Sequence, residues 1–529
     1  MRKSINLTNI SGVSPLIKDY LQGNNSVSSL YDKNLSFENL ILQGKEKVEK
    51  YKHRKVLVTE LLNQYKKIDL TEIQKNNLHK LSLENTVTIT TGHQLNLMTG
   101  PLYFIYKILQ VIKLCESMNR QQSELFYVPI FWMATEDHDF KEINHFYFKN
   151  KKIEWNGDYN DFVGEISINN SNFKNTLTEF YNELKYFPNG KELREIIEKS
   201  YFTEENLVDA TRVLVHELFK NYGLLSIDGN NKSLKSLFSS FVKDDIVEKK
   251  SYQLVTETIQ DIKSDYKIQV NPRKINFFYH LNQQRNRIDE TNGKYYILGT
   301  CKNFTQEEIL KELENFPERF SPNALLRPVY QELILPNVAY VGGNAEIAYW
   351  LELKNYFDHQ DLPYPILIPR NSFLLITENQ KEKLDKYQLD SEKLFLPKEK
   401  IIKNLVCQNS KEKFDFNKYE ERLATIFNDL LLESSKTDDS WKNMILAQQK
   451  KQLNGLNKIN KRFYKAERRK YHDLIKNFEQ LYSELFPAEN WQERRVNFSE
   501  YFAVYGDDFI KLLYNEISEY ESVINLSTL

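Results

Sequence analysis

Hydrophobic and polar positions change their period several times across residues 86–145, and this stretch organises the rest of the chain. Val87 and Ile89 alternate with threonines, the period-2 pattern of a strand, and lead into Thr91-Gly92-His93-Gln94. After Gly100-Pro101 the period becomes helical: Tyr103, Ile105, Tyr106, Ile108, Leu109, Val111 and Ile112 recur with Lys107 and Lys113 among them. A continuous apolar run, Val128 to Met133, then ends abruptly in Glu136-Asp137-His138-Asp139. The order strand, Gly-rich loop, helix, strand, polar cluster predicts one βαβ crossover. Ligands collect at the carboxyl ends of parallel strands, so the two polar clusters mark the candidate active site.

The same patterning predicts the surroundings. Residues 1–145 comprise a helical lead-in and the first half of the core. Residues 146–204 alternate like short strands and then become polar helices, a first insertion, with strands expected near 146–157 and 161–168. Residues 205–239 return to an amphipathic helix closed by Gly223, followed by a buried strand. A second insertion covers 240–319, with a strand near 275–280 and a turn carrying Arg285 and Arg287. The second half of the core occupies 320–375, and 376–529 is predicted to be helical with an imperfect coiled-coil arm. Its seam of Leu446, Leu453, Leu456, Phe463, Leu474 and Leu481 is interrupted by Asn460, Glu467, Lys470 and Asn477. The expected class is α/β, a Rossmann-like core with two connecting insertions and that α-helical arm.

A length of 529 residues supports two or three structural units, and a net charge of −1 supplies no global field toward nucleic acid or membrane. No apolar run is long enough to cross a bilayer, and the basic N-terminus lacks the apolar stretch of a secretory signal. Cys115, Cys301 and Cys407 lie far apart, which favours a reducing, cytoplasmic setting and speaks against a cysteine-built zinc site. No zinc is expected.

The Gly92-His93-Gln94 turn suits an anion, because glycine admits a close ligand and free N–H groups favour negative charge. The competing reading is a tight turn whose histidine only caps a carbonyl. Asp137, His138 and Asp139, with Glu136 beside them, suit Mg2+, a substrate amine or general base work. They also fit an acidic helix start. Arg327 and Arg370 close two core segments and suit a carboxylate or phosphate, or a structural ion pair. Gly342 and Gly343 form a second close-approach turn, with Glu346 as a ligand contact or a cap. Lys232-Ser233-Leu234-Lys235-Ser236 resembles a synthetase lysine–serine loop too weakly to be used. The basic run at 450–470 is read as a solvated helix face, so nucleic acid is not an expected partner.

Three long motifs carry a family resemblance: TGHQ…TGPLY…K at 91–107, VPIFWMATEDHDFKEINH at 128–145, and FSPNALLRPVYQELILPNVAYVGGNAEIAYWLELK at 320–354. PILIPRNS at 365–372 extends them. The chain resembles the BshC family, the cysteine ligases of bacillithiol biosynthesis, over its whole length. The resemblance implies a nucleotidyltransferase-type Rossmann-like core and a homodimer through the C-terminal coiled coil. It also implies ligation of the cysteine carboxylate to the amine of glucosaminyl-malate.

Activating a free carboxylate points to ATP, and no Walker-type loop is present. In this reading Gly92, His93, Gln94 and Gly100 hold the activated carboxylate or phosphates. Asp137, His138 and Asp139 orient the amine, and Arg327 and Arg370 take substrate carboxylates. The alternatives are a nucleotidylyltransferase, another amide ligase on the same core, or a non-catalytic RNA-binding or scaffold protein.

Overall fold

A computed structural model of the chain describes residues 2–121, 124–262, 265–389, 391–410, 415–436 and 439–529. Two compact units emerge: 1–375 with 490–528, and 376–489 with Leu529.

The first unit is built on a five-stranded, all-parallel sheet. Its strands in spatial order are Leu225–Asp228, Phe126–Met133, Thr86–His93, Asn337–Gly342 and Ile366–Pro369. In chain order this is 3-2-1-4-5, the doubly wound arrangement, whose direction reverses between Thr86–His93 and Asn337–Gly342. Helix Tyr103–Arg120 makes the first crossover, and the expected βαβ unit is present at 86–133.

One side of the central strand is apolar. Val87 and Ile89 join Val111, Leu114, Met118, Val338, Val341 and Ile366 in a buried cluster. Its other side is threonine: the hydroxyls of Thr88 and Thr90 reach Asn337 Oδ1 at 3.3 and 2.8 Å. These bonds satisfy buried polar groups and brace the pair of strands at the reversal point.

The second insertion forms an antiparallel sheet in the order Asn303–Thr305, Lys294–Ile297, Gln284–Thr291, Phe277–Leu281, Phe320–Pro322. Two expectations change here. Arg285 and Arg287 lie on a strand, because the turn falls at Asn282-Gln283, where φ is 52° and 58°. Phe320–Pro322, read as returning core, is the edge strand of the insertion's sheet.

In the first insertion the hairpin His145–Phe148/Lys151–Glu154 forms, whereas 161–168 contains a 3-10 turn at Val163–Glu165 instead of a strand. The helical lead-in is preceded by strand Arg2–Asn6, which pairs antiparallel with Val523–Thr528. The region 376–529 is therefore divided: 490–528 packs with the first unit.

Within the second unit, helix Asp439–Lys470 runs 32 residues, about 48 Å, against Phe416–Glu433. The predicted seam is split at Tyr471, where ψ turns to 28°, so Leu474 and Leu481 sit on the separate helix His472–Leu485. No helix among the described residues is long and apolar enough to cross a membrane.

Candidate active site

A cavity of ≈930 Å³ opens at the carboxyl ends of the core strands, beside the point where strand order reverses. Its core wall contains Gly92, His93, Gln94, Glu136, Asp137, His138, Arg327, Tyr340 and Glu346. Its other wall comes from the second insertion: the 269–278 segment with Arg273 and Lys274, and the strand carrying Arg285 and Arg287.

Lys107 fixes the first turn. It is buried on helix Tyr103–Arg120, donates to the Gly92 carbonyl at 2.6 Å and meets both Glu346 oxygens at 2.9 Å. Tyr340 donates to the same carboxylate at 2.8 Å. Burial lowers the Lys107 pKa against the pull of Glu346, while Lys107 holds Glu346 ionised despite its burial.

His93 stacks on Tyr103 with centroids 5.3 Å apart, and its Nδ1 lies 3.2 Å from the Gln94 carbonyl. That oxygen can only accept, so Nδ1 carries the proton and Nε2 is an acceptor. Burial, reinforced by Lys107, pushes the imidazole down to about 3. His93 is neutral at physiological pH, and its contact with the Gln94 carbonyl matches the capping reading of this turn while leaving Nε2 as an acceptor.

Gln94 orients the second cluster, donating to Asp137 Oδ2 at 2.6 Å and Glu142 Oε2 at 2.8 Å. Burial opposes ionisation of Asp137, but hydrogen bonds from His138 and Gln94 and the nearby Arg285 hold its carboxyl well below the usual range. Arg285 donates to His138 Nδ1 at 3.1 Å and to the Pro322 carbonyl at 2.7 Å, so that histidine lone pair is occupied. Glu136 is ion-paired with the buried Lys235, which also donates to the Phe320 carbonyl at 2.7 Å. Asp139 does not line the cavity; it caps helix Phe140–Ile143 by accepting from Glu142 N–H at 3.3 Å.

The two strand-end arginines part ways. Arg327 faces the cavity, hydrogen-bonds Gln331 at 2.8 Å, and forms no ion pair among the described residues. A Cβ at position 92 would stand 3.4 Å from its Nη1, so glycine leaves room for the guanidinium beside the strand end. Arg370 instead makes a bidentate, buried pair with Glu493 at 2.8 and 2.6 Å and lies outside the cavity lining. Its expected role on a substrate carboxylate is corrected to a structural one.

Gly100, Gly342 and Gly343 are also outside the cavity. Met98, Thr99 and Gly100 all have positive φ, and Asn497 donates to the Met98 and Gly100 carbonyls, so Gly100 serves a strained turn. Gly342 packs under Tyr340 and Ile347, where a Cβ would approach to 2.9 and 3.1 Å. Gly343 precedes helix Asn344–Leu351 and places Glu346 in its first turn.

Sequence reading missed Lys107 as a site residue, along with Lys235, Arg285 and Tyr340. Lys107 carried a signal, a cation inside a run of apolar positions, and the helix is buried at every position from Phe104 to Ile112. Arg285 carried none, because the residue that brings it into the site, His138, lies 147 residues away along the chain.

The fold and cavity define a Rossmann-like α/β protein with a ligand site at the strand reversal, walled on one side by an inserted sheet. Residues 1–371 match the family described as bacillithiol biosynthesis BshC, N-terminal Rossmann-like domain, and 373–526 match its C-terminal coiled-coil domain. The chain belongs to the BshC family.

A relative from Flavobacterium johnsoniae is 41% identical over 522 residues, spanning 98% of this chain and 97% of its own. One from Flavobacterium psychrophilum is 43% identical over 509 residues, spanning 96% and 94%. One from Bacillus cytotoxicus is 29% identical over 522 residues, spanning 94% of each. All three carry the name "Putative cysteine ligase BshC".

Proposed function

We propose that this chain joins the carboxylate of cysteine to the amine of glucosaminyl-malate, the last step of bacillithiol formation. The observation that carries this reading is Arg327, a cation without a carboxylate partner among the described residues, which lines the same cavity as an ionised Asp137. An amide ligase needs both: a cation for the acyl donor's oxygens and an anion for the incoming ammonium group. The relatives' name and the family's pathway support the choice of donor and acceptor.

Each residue then has a task. Arg327 binds the donor carboxylate and neutralises charge that develops on its oxygen. Asp137, kept ionised and aimed by Gln94, holds the amine. His93 Nε2 accepts a hydrogen bond from it, and the protons released on amide formation pass to solvent, since His93 is too weak a base to keep one. Arg273, Lys274 and Arg287 on the insertion wall match the two carboxylates of the malate portion.

ATP, the expected activator, would supply the phosphoryl or adenylyl group that activates the carboxylate, with ADP or pyrophosphate released first and phosphate or AMP leaving as the amide bond forms. The cavity has cationic side chains on both walls for its phosphates. Mg2+ fits less well: Glu136 is held by Lys235 and Glu346 by Lys107, which leaves Asp137 as the one of these three carboxylates without a lysine partner, too few anionic oxygens for the ion.

The helical hairpin of the second unit exposes Ile426, Met444, Leu446 and Ile459 at 42–61%. That apolar surface supports the reading of a homodimer through this arm. Light scattering on the full chain tests it, with Met444→Glu/Leu446→Glu expected to give monomers.

Thiol profiling of cells with and without the protein tests the main reading. Loss of bacillithiol with accumulation of glucosaminyl-malate is expected, restored by the wild-type chain and not by Arg327→Met. Unchanged bacillithiol in the deleted strain would refute it.

A further inference from the structure

Outside the residues that line the cavity, the two insertions meet in a second cluster of potential ligands. Asp161 and Glu165 come from the first insertion, His280 from the second, and one ligand atom of each lies within 4.8 Å of the others. His280 Nε2 is 2.7 Å from Asp161 Oδ1.

The trio is held from outside. The His280 ring stacks on Phe162, with centroids 4.3 Å apart and planes at 17°. Phe162 N–H donates to Asp161 Oδ1 at 2.7 Å, and Asn230 Nδ2 donates to Glu165 Oε1 at 2.9 Å. Ligands fixed by such outer partners have little orientational freedom left to lose on binding an ion.

The charge is also uncompensated. Among the described residues no lysine or arginine ion-pairs with either carboxylate; His280 is the one basic partner of Asp161.

We propose that Asp161, Glu165 and His280 bind a first-row divalent transition-metal ion. One imidazole and two carboxylates form a nitrogen–oxygen donor set, which ranks Zn2+ above Mn2+ and leaves Mg2+ weak. Tetrahedral Zn2+ places such atoms about 3.3 Å apart, so the His280–Asp161 pair, now 2.7 Å apart, opens slightly while Glu165, within 4.8 Å of both, closes in. The expectation of no zinc rested on the scattered cysteines, and this set contains none.

The ion would brace the cavity from outside its lining. Val163 N–H donates to the Asp137 carbonyl at 2.7 Å, and Arg285 N–H donates to the Asn160 carbonyl at 3.3 Å. Both backbone links flank the trio, so occupancy ties the first insertion to the strand that carries Arg285.

The test is calorimetric titration of chelator-stripped, full-length protein with ZnCl2, MnCl2 and MgCl2, together with melting curves. One Zn2+ per chain is expected, with a higher melting temperature, weaker Mn2+ binding and little response to Mg2+. Glu165→Gln, a surface change, and His280→Gln should each weaken Zn2+ binding at least about tenfold. Co2+ substituted at the site should show d–d bands without a thiolate charge-transfer band. Zn2+ binding that is absent, unchanged in Glu165→Gln, or accompanied by a thiolate band on Co2+ would overturn the proposal.

Discussion

On the core side of the cavity, the first polar turn is held by a charged pair between the crossover helix and the turn after the neighbouring strand. Lys107 grips the Gly92 carbonyl fifteen residues upstream and Glu346 on the adjacent turn. On the insertion side, the 269–276 segment hangs by its backbone from two buried carboxylates. Glu352 accepts from the N–H groups of Gln269 and Val270 at 2.7 and 3.3 Å, and Asp245 accepts from Asn276 N–H at 2.7 Å.

Neither carboxylate ion-pairs with a cation among the described residues, and burial pushes them up to about 7 and about 6. One wall is fixed by paired charges, the other by hydrogen bonds to groups that titrate. This contrast teaches that the core wall is rigid while the insertion wall responds to pH, so under the proposed function the acyl donor would meet the rigid wall.

The strongest way to break the contrast is Lys107→Met. It leaves Glu346 without its cation and should cost about 3 kcal/mol of stability, read as a lowered urea midpoint. Little change would mean that the core wall is not held by this pair.

Arg327→Met should leave the melting temperature close to wild type and reduce product formation about 100-fold, the scale of losing one preorganised donor in a water-poor site. Steady-state kinetics on the purified variant measure it. Loss of fold instead of loss of rate would move Arg327 to a structural role like that of Arg370.

For the insertion wall, the sign follows from linkage. Glu352 has a folded pKa of about 7, above an unfolded value near 4.5, so the folded state holds its proton more tightly. Its contribution to stability is full below pH 4.5 and lost as pH rises through 7. Glu352→Gln should therefore remove about 1–3 kcal/mol of that decline between pH 4.5 and 8. Urea midpoints across the range provide the measurement, and an unaltered slope would refute the clamp. His93 runs the other way: its folded pKa of about 3 lies below the usual 6.5, so its contribution is lost as pH falls through that interval.

The smallest effect belongs to Asp139→Ala, which removes a helix cap and should cost about 0.5–1 kcal/mol with activity retained. A large activity loss would return Asp139 to the catalytic list.

Much of the fold was legible because its signals are local. Alternation over 86–91, helical spacing over 103–112 and the apolar run at 128–133 each arise within one element. The edge strand Phe320–Pro322 and the strand pair Arg2–Asn6/Val523–Thr528 were not legible, because pairing partners far apart in sequence decide them. Part of the candidate site was readable for the same local reason: Gly92, His93, Gln94, Asp137 and His138 converge because adjacent parallel strands end side by side.

By itself, then, the sequence determined which residues close the central strands and that they gather at one edge of a parallel sheet. Only the tertiary structure decided which of them remain available to a ligand. Arg327 and Arg370 look equivalent along the chain, but a glutamate 123 residues downstream folds back to occupy Arg370, while no carboxylate among the described residues pairs with Arg327. Availability of a charged group depends on what is packed against it, and a buried charge binds the nearest opposite charge that the fold delivers.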